Sequence, residues 1–259
     1  MADPPGVWLH AVTRDPPPAG LAGLTGVGGQ PVRAVEAAGL VAVVSSVDLD
    51  EFGAEPMRHN LEDLAWLESV ARAHHAVVDA AGRHGSAVPA QLGTVYRDDS
   101  RVRTVLSERR DDFTAVLHRV AGRDEWGVKA FAADAAPLPE PAGQPVGGGP
   151  GAAYLRRRRA ELGAAERQRQ AALDSAEEVH AALTEHAERA RRHPPQDRSL
   201  SGRRDVMVLN GAYLVGAADA DQFAAAVAAL TGRLPALRLQ LTGPWPPYSF
   251  VAVDEEPPP

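Results

Sequence analysis

Residues Thr242 to Val251 read TGPWPPYSFV, and this stretch decides how the rest of the chain is parsed. Three prolines, Pro244, Pro246 and Pro247, fix φ, remove backbone donors and disfavour helix at the residues before them, so Gly243 to Pro247 has to be an ordered turn or extended corner. Leu237, Leu239 and Leu241 alternate before it, and Tyr248, Phe250, Val251 and Val253 follow it. That pattern predicts strand, rigid aromatic corner, strand, with Trp245 in the corner. On physics alone such a corner is a packing device that closes a sheet.

Working upstream, Leu237 to Leu241 is preceded by DADQFAAAVAAL, a helix capped by Asp219 or Asp221, and by VMVLNGAYLV at Val206 to Val215, one strand or two short strands around Asn210-Gly211. Ala152 to about His193 is the longest regular element, roughly 60 Å if helical throughout at about 1.5 Å per residue, and Pro194-Pro195 ends it. Its second half carries Leu162, Ala165, Leu173, Ala176, Val179, Leu183, Ala187 and Ala190 at three- and four-residue steps, a seam suited to close packing through small side chains. Its first half, with Arg156 to Arg159, Glu161, Glu166, Arg167 and Arg169, is charged all round, the pattern of a solvated face. Before it, residues 133–151 are rich in alanine, proline and glycine and read as a linker. Glu125 to Ala132, EWGVKAFA, reads as a strand. From Glu125 onward the order is strand, long helix, strand, helix, strand, corner, strand, a ferredoxin-like layer with one over-long helix.

The N-terminal part reads as a separate α+β domain. Val7 to Val12 and the hairpin Val32 to Ser45 are strands, and LVAVV is apolar throughout, as a strand covered on both faces is. A helix from an Asn60 cap to about Arg83 places Leu64, Leu67, Val70, His74, Val77, Val78 and Ala81 on one side, and a second runs from Asp98 or Ser100 to Val120. The expected division is 1–123 and 124–259, with 254–259 a tail. Overall the chain is α+β.

Composition narrows the function classes. The 259 residues carry a formal charge of −7, and neither half has a basic excess, which argues against phosphate-backbone binding. With no cysteine, disulfides and thiolate metal sites are excluded. No apolar run is long enough to cross a bilayer, and a cytoplasmic protein is expected. Gly26-Val27-Gly28 is followed by Gln30-Pro31 and a strand rather than a helix, so it is not a phosphate cradle. His180, His186 and His193 lack the helical zinc spacing, and no cofactor or metal is expected. His74, on an apolar stripe, reads as a buried polar structural residue rather than a catalyst, and Lys129, the single lysine, as paired or snorkelling.

The segments VWLHAV, LVAVVSSV, Arg72-Ala73-His74 with Val77, VPAQLGTVY, EWGVKAFA, LNGAYLV and LTGPWPPYSFV follow one another from Val7 to Val251. Together they resemble the gas vesicle proteins of the GvpL/GvpF family. Ala90-Gln91-Leu92-Gly93 departs from the Leu-Arg-Phe-Gly usual in that family, losing an arginine and an aromatic. The resemblance implies a non-enzymatic accessory protein of gas vesicle formation, with an N-terminal α+β domain and a modified ferredoxin-like C-terminal domain. It also implies association with the hydrophobic shell protein GvpA and other gas vesicle accessory proteins, either keeping the shell protein from aggregating during nucleation or serving as a minor vesicle component. Within that reading, the shell-protein contact is expected at Trp245, Tyr248, Phe250, Leu173, Val179 and Leu183. The competing reading is a small-molecule enzyme using a ferredoxin-like cleft with His74 or Lys129; it requires either side chain to be free to meet a substrate.

Overall fold

In the computed structural model the described residues are 5–14, 21, 23–83, 85–132, 150–195 and 206–252, with side chains of the long helix described from 154 onward. The expected tail at 254–259, most of the expected linker and Val253 lie outside them. The chain forms two units: Met1–Glu125 together with Pro244–Pro259, and Trp126–Gly243. The stretch from Pro244 onward therefore belongs with the first unit, where the sequence reading placed it in the second domain.

The first unit is built on an antiparallel sheet of β1 (Gly6–Thr13), β2 (Arg33–Ala37), β3 (Leu40–Val47), β4 (Ala87–Pro89) and β5 (Val95–Tyr96). The order is β2-β3-β1-β4, with β5 also pairing to β1. All of β1 and nearly all of β3 are buried, because both faces are covered and apolar side chains are needed on each. On one face Val7, Leu9, Val12, Leu40 and Val44 pack with Val102 and Leu106 of α4 (Asp99–Glu108) and Val116, Leu117 and Val120 of α5 (Arg110–Val120). On the other, Ala11 and Val43 meet Val77 and Ala81 of α3 (Leu64–Gly82), and Trp8 and Val47 meet Phe52 and Val70.

Two helix boundaries differ from expectation. Asp63, not Asn60, caps α3, accepting from the amides of Ala65 (2.9 Å) and Trp66 (3.3 Å). Asn60 instead ends α2 (Ala54–Asn60), which follows the single turn α1 (Leu49–Phe52). Leu64 is consequently 79% exposed, and the apolar stripe begins at Val70. The second expected helix breaks at Arg109, where φ −109 and ψ 24 leave the helical region and redirect the chain into α5.

The second unit contains β6 (continuing from Arg123 to Ala132), α6 (Pro150–Thr184), β7 (Arg189–Arg192), β8 (Val206–Gly216), α7 (Ala220–Arg233) and β9 (Leu237–Trp245). The sheet order β7-β8-β6-β9 with the sequence β-α-β-β-α-β is the ferredoxin-like arrangement. It is completed differently from the expectation. The long helix stops at Thr184 rather than His193, and Arg189–Arg192 forms an edge strand antiparallel to β8, with Glu188 N–H donating to Leu214 O and His193 N–H to Asn210 O. RARR has a helical composition, and pairing with β8 overrides it. Among the described residues after Pro247 there is no second strand: Tyr248–Phe250 is a single 3-10 turn.

The core of this unit joins Val128 and Ala130 of β6, Leu209, Tyr213 and Val215 of β8, Phe223, Val227 and Leu230 of α7, and Ala172, Ala176, Val179 and Leu183 of α6. Val179 and Leu183 are wholly buried, and Leu173 is half-buried. The expected contact surface on α6 is thus the inner face of a folded core, because the seam is used to cover the unit's own sheet. Glycine at 211 is required here, since a Cβ would stand 2.7 Å from the Tyr213 ring.

Candidate functional site: the proline-fixed segment and the histidine pair beneath it

Two residues before the end of β9, Gly243 takes φ 119, a conformation that side chains other than glycine rarely adopt, and leads the chain into Pro244–Ala252. This segment is held on the first unit at three points. Phe250 is buried and Val251 packs on the α4/α5 core. The Arg119 guanidinium, from the last turn of α5, donates to the carbonyls of Phe250 (3.2 Å) and Ala252 (3.1 Å). The Glu125 carboxylate accepts both from the Ser249 amide and from its hydroxyl, each at 2.7 Å.

Hydrogen bonds to a charged acceptor are worth about 1.5–3 kcal/mol. Glu125→Gln removes the charge and leaves an amide group that cannot accept from both donors. The Ser249 amide is expected to exchange about tenfold or more faster with solvent in this variant, a difference of at least about 1.4 kcal/mol. Unchanged exchange there would show that Glu125 does not hold the segment.

Anchored in this way, the corner presents Trp245 outward. Its ring lies 5.6 Å from that of His75 at 67°, and it remains 44% exposed, whereas Pro247 and Phe250 on either side of the turn are buried. Tyr248 is half-buried, its ring 6.2 Å from His74 and 6.4 Å from His75. Burial, with Asp79 and Glu125 nearby, pushes the Tyr248 phenol well above its ordinary range, so it stays neutral.

Beneath the segment lies a buried polar group. A bulge in β1 between Leu9 and Ala11 turns His10 toward α3. His10 stacks on His74 with ring centroids 5.3 Å apart. Trp8 Nε1–H donates to His74 Nδ1 at 3.0 Å, which leaves the other nitrogen, Nε2–H, to donate to Ala90 O at 3.2 Å. The Ser45 hydroxyl donates to Val27 O at 2.9 Å, so His10 Nε2–H donates to Ser45 Oγ at 3.1 Å. His10 Nδ1 has no partner among the described residues. Gly26 permits this packing: a Cβ there would lie 2.6 Å from Ser45 Oγ and 2.9 Å from His10 Nε2. Burial, and secondarily the neighbouring His74, pushes His10 down to about 3. Burial and His75 push His74 down to about 4, against the opposing hydrogen bond to Ala90.

The structure brings Trp245, Tyr248, Phe250 and His74 into one region of the first unit and leaves Leu173, Val179 and Leu183 in the second. Both nitrogens of His74 are engaged and the side chain is 2% exposed, so it has no lone pair to offer a substrate. Lys129 is half-buried on β6, in the other unit, where it has polar or ring contacts of its own. Neither side chain is thus free in the way the enzyme reading requires. Sequence reasoning missed Glu125, Arg119, His10 and Ser45. Glu125 and Arg119 sit near the ends of regular elements and their partners are more than 120 residues away, and the bulge at His10 leaves no mark in the sequence of β1.

Comparison with known proteins places these features in a wider set. Residues 6–252 match the family model described as gas vesicle synthesis protein GvpL/GvpF. The chain is 40% identical over 252 residues to a protein named gas vesicle protein L of Streptomyces sp. (strain CB03234), covering 96% of this chain and 94% of the relative. It is 30% identical over 262 residues to gas vesicle protein F of the same organism, covering 94% of this chain and 98% of that one. Its fold matches the crystal structures of GvpF from Anabaena sp. PCC7120 (TM-score 0.67, 18% identity, 97% of this chain and 98% of that chain) and from Microcystis aeruginosa (TM-score 0.66, 17% identity, 96% and 99%).

Proposed function

From a chain that belongs to the gas vesicle GvpL/GvpF family, we propose a protein that binds the hydrophobic shell protein GvpA through the Trp245 corner. In this reading it is a non-enzymatic accessory protein of the cytoplasm and the gas vesicle, which holds the shell protein back from aggregation during nucleation or remains as a minor vesicle component. The observation that carries the proposal is the exposure of Trp245, at 44%, on a segment that Phe250 and Pro247 anchor by burial. A rigid aromatic side chain left outward on a preorganised corner loses little entropy on binding, and tryptophan is among the residues that dominate interface energies. No helix among the described residues is long and apolar enough to cross a membrane, in keeping with a protein that meets the shell subunit from water.

Co-purification of the full chain with GvpA tests this. Trp245→Ala is expected to weaken binding by about 2 kcal/mol, roughly 30-fold, as interface tryptophans do. Undiminished binding would move the contact elsewhere. Deleting α6 is not an equivalent test, because it strips Ala172, Ala176, Val179 and Leu183 from the second core. Labelled-antibody imaging of intact and opened vesicles distinguishes the transient role from the structural one.

A further inference from the structure

The first half of α6 is unlike the other helices among the described residues. Residues 154–160 are all exposed, and three of the largest apolar side chains on the surface lie in this half: Tyr154 at 57%, Leu155 at 60% and Leu162 at 58%. Leu155 and Leu162 are seven residues apart, and the same step continues through Arg169 to Ala176 and Leu183, which are buried in the core of the second unit. A seven-residue step drifts by only about 20° per repeat on a straight helix. The side of α6 that is sealed by its own sheet after Ala172 thus runs on, uncovered, toward the helix start.

Charge says what covers it. Between Tyr154 and Ala171 there are six arginines and two glutamates, a local charge of +4 within a chain whose total is −7. Arg157 and Arg158 both lean on Glu161, at 3.7 and 3.6 Å, while Arg156, Arg159, Arg167 and Arg169 have no carboxylate partner among the described residues. We propose that Tyr154 to Ala171 is a docking surface for a protein helix whose narrow apolar seam is flanked by carboxylates. Arg158 and Arg159 lie three and four residues from both Leu155 and Leu162, beside the seam, where charge selects the partner in paired helices. A second copy of this half would set +4 against +4. A bilayer needs a broad apolar face with aromatic anchors rather than a seam one residue wide. A nucleic acid has no use for leucines spaced along the basic stretch. The surface is separate from the Trp245 corner and does not rest on the shell-protein reading.

The test titrates the full-length protein with short synthetic heptad peptides carrying leucine in the seam and either glutamate or lysine beside it, read by fluorescence anisotropy at low and moderate salt. The glutamate peptide is expected to bind at least about tenfold more tightly than the lysine peptide, with the preference shrinking as salt rises. Combining Arg156→Glu, Arg157→Glu, Arg158→Glu and Arg159→Glu is expected to invert the preference. Leu162→Gln is expected to lower affinity for the glutamate peptide about tenfold. Trp245→Ala is expected to leave it unchanged, which separates this surface from the shell-protein contact. All these positions are exposed, and retained helical circular dichroism and thermal midpoint confirm that the variants fold. Equal affinity for the two peptides, binding insensitive to the arginine reversal, or capture only by phosphatidylglycerol vesicles or polyuridylate would overturn the proposal. Dimerisation abolished by Leu162→Gln would overturn it too.

Discussion

Taking the protein from pH 7 to pH 4 is expected to remove about 6 kcal/mol of stability from the first unit, through His10 and His74 alone. The folded state holds both rings neutral, with pKa values lowered to about 3 and about 4 from an ordinary 6.5. The unfolded chain takes up protons below pH 6.5, and the native state does not until the pH approaches those lower values. The stabilisation is therefore complete above about pH 6.5 and lost as the pH falls. Each group contributes about 3 kcal/mol at pH 4, and together about 4 kcal/mol is already lost by pH 5, where most carboxylates are still ionised. Against a usual total of about 5–15 kcal/mol, that brings the unit close to its unfolding point. Urea unfolding followed by hydrogen exchange of β1 and β3 amides from pH 7 to 5 measures it. A loss below about 1 kcal/mol in that window would show that the two rings titrate normally.

Phe250→Ala is expected to cost about 3 kcal/mol or more, while Trp245→Ala, five residues away, costs less than about 1 kcal/mol. The difference follows from exposure: Phe250 is 6% exposed and fills a place in the first unit, while Trp245 is 44% exposed. The larger loss should appear as release of the whole segment, with protease cleavage between Gly243 and Val251 rising in Phe250→Ala and staying at its original level in Trp245→Ala. Equal losses in the two variants would mean that Trp245 is core, and would remove the premise of the shell-protein contact.

Legibility in the sequence tracked how local each determinant is. The apolar strand LVAVV, the cap at Asp98 and the three prolines act over a few residues, and the α+β character with a ferredoxin-like second half follows from such local patterns. The strand Arg189–Arg192 was hidden because arginine and alanine favour helix, and only the partner strand β8, brought back after a long interruption, makes it extended. The second strand expected after the corner is a 3-10 turn because Ser249 is bonded to Glu125, a contact across 124 positions that no local pattern records. The same reason explains the buried α6 seam: small residues at helical spacing look alike whether they await a partner or already cover a sheet. Trp245 stands out in the sequence because a tryptophan between prolines is conspicuous, while His10 and Glu125 do not, because their partners lie far away in the chain.

The return of Pro244–Ala252 to the first unit also bears on how the protein is made. On the ribosome, everything from Trp126 to Gly243 emerges before the residues that complete the structure begun at the N-terminus. Until then the place of Phe250 lies open to solvent and the Arg119 guanidinium and Glu125 carboxylate wait for a backbone that has not been synthesised. Release of a chain that stops before Phe250, by a nonsense codon or a nick near Gly243, leaves the early-made half unfinished although every one of its own strands and helices is present.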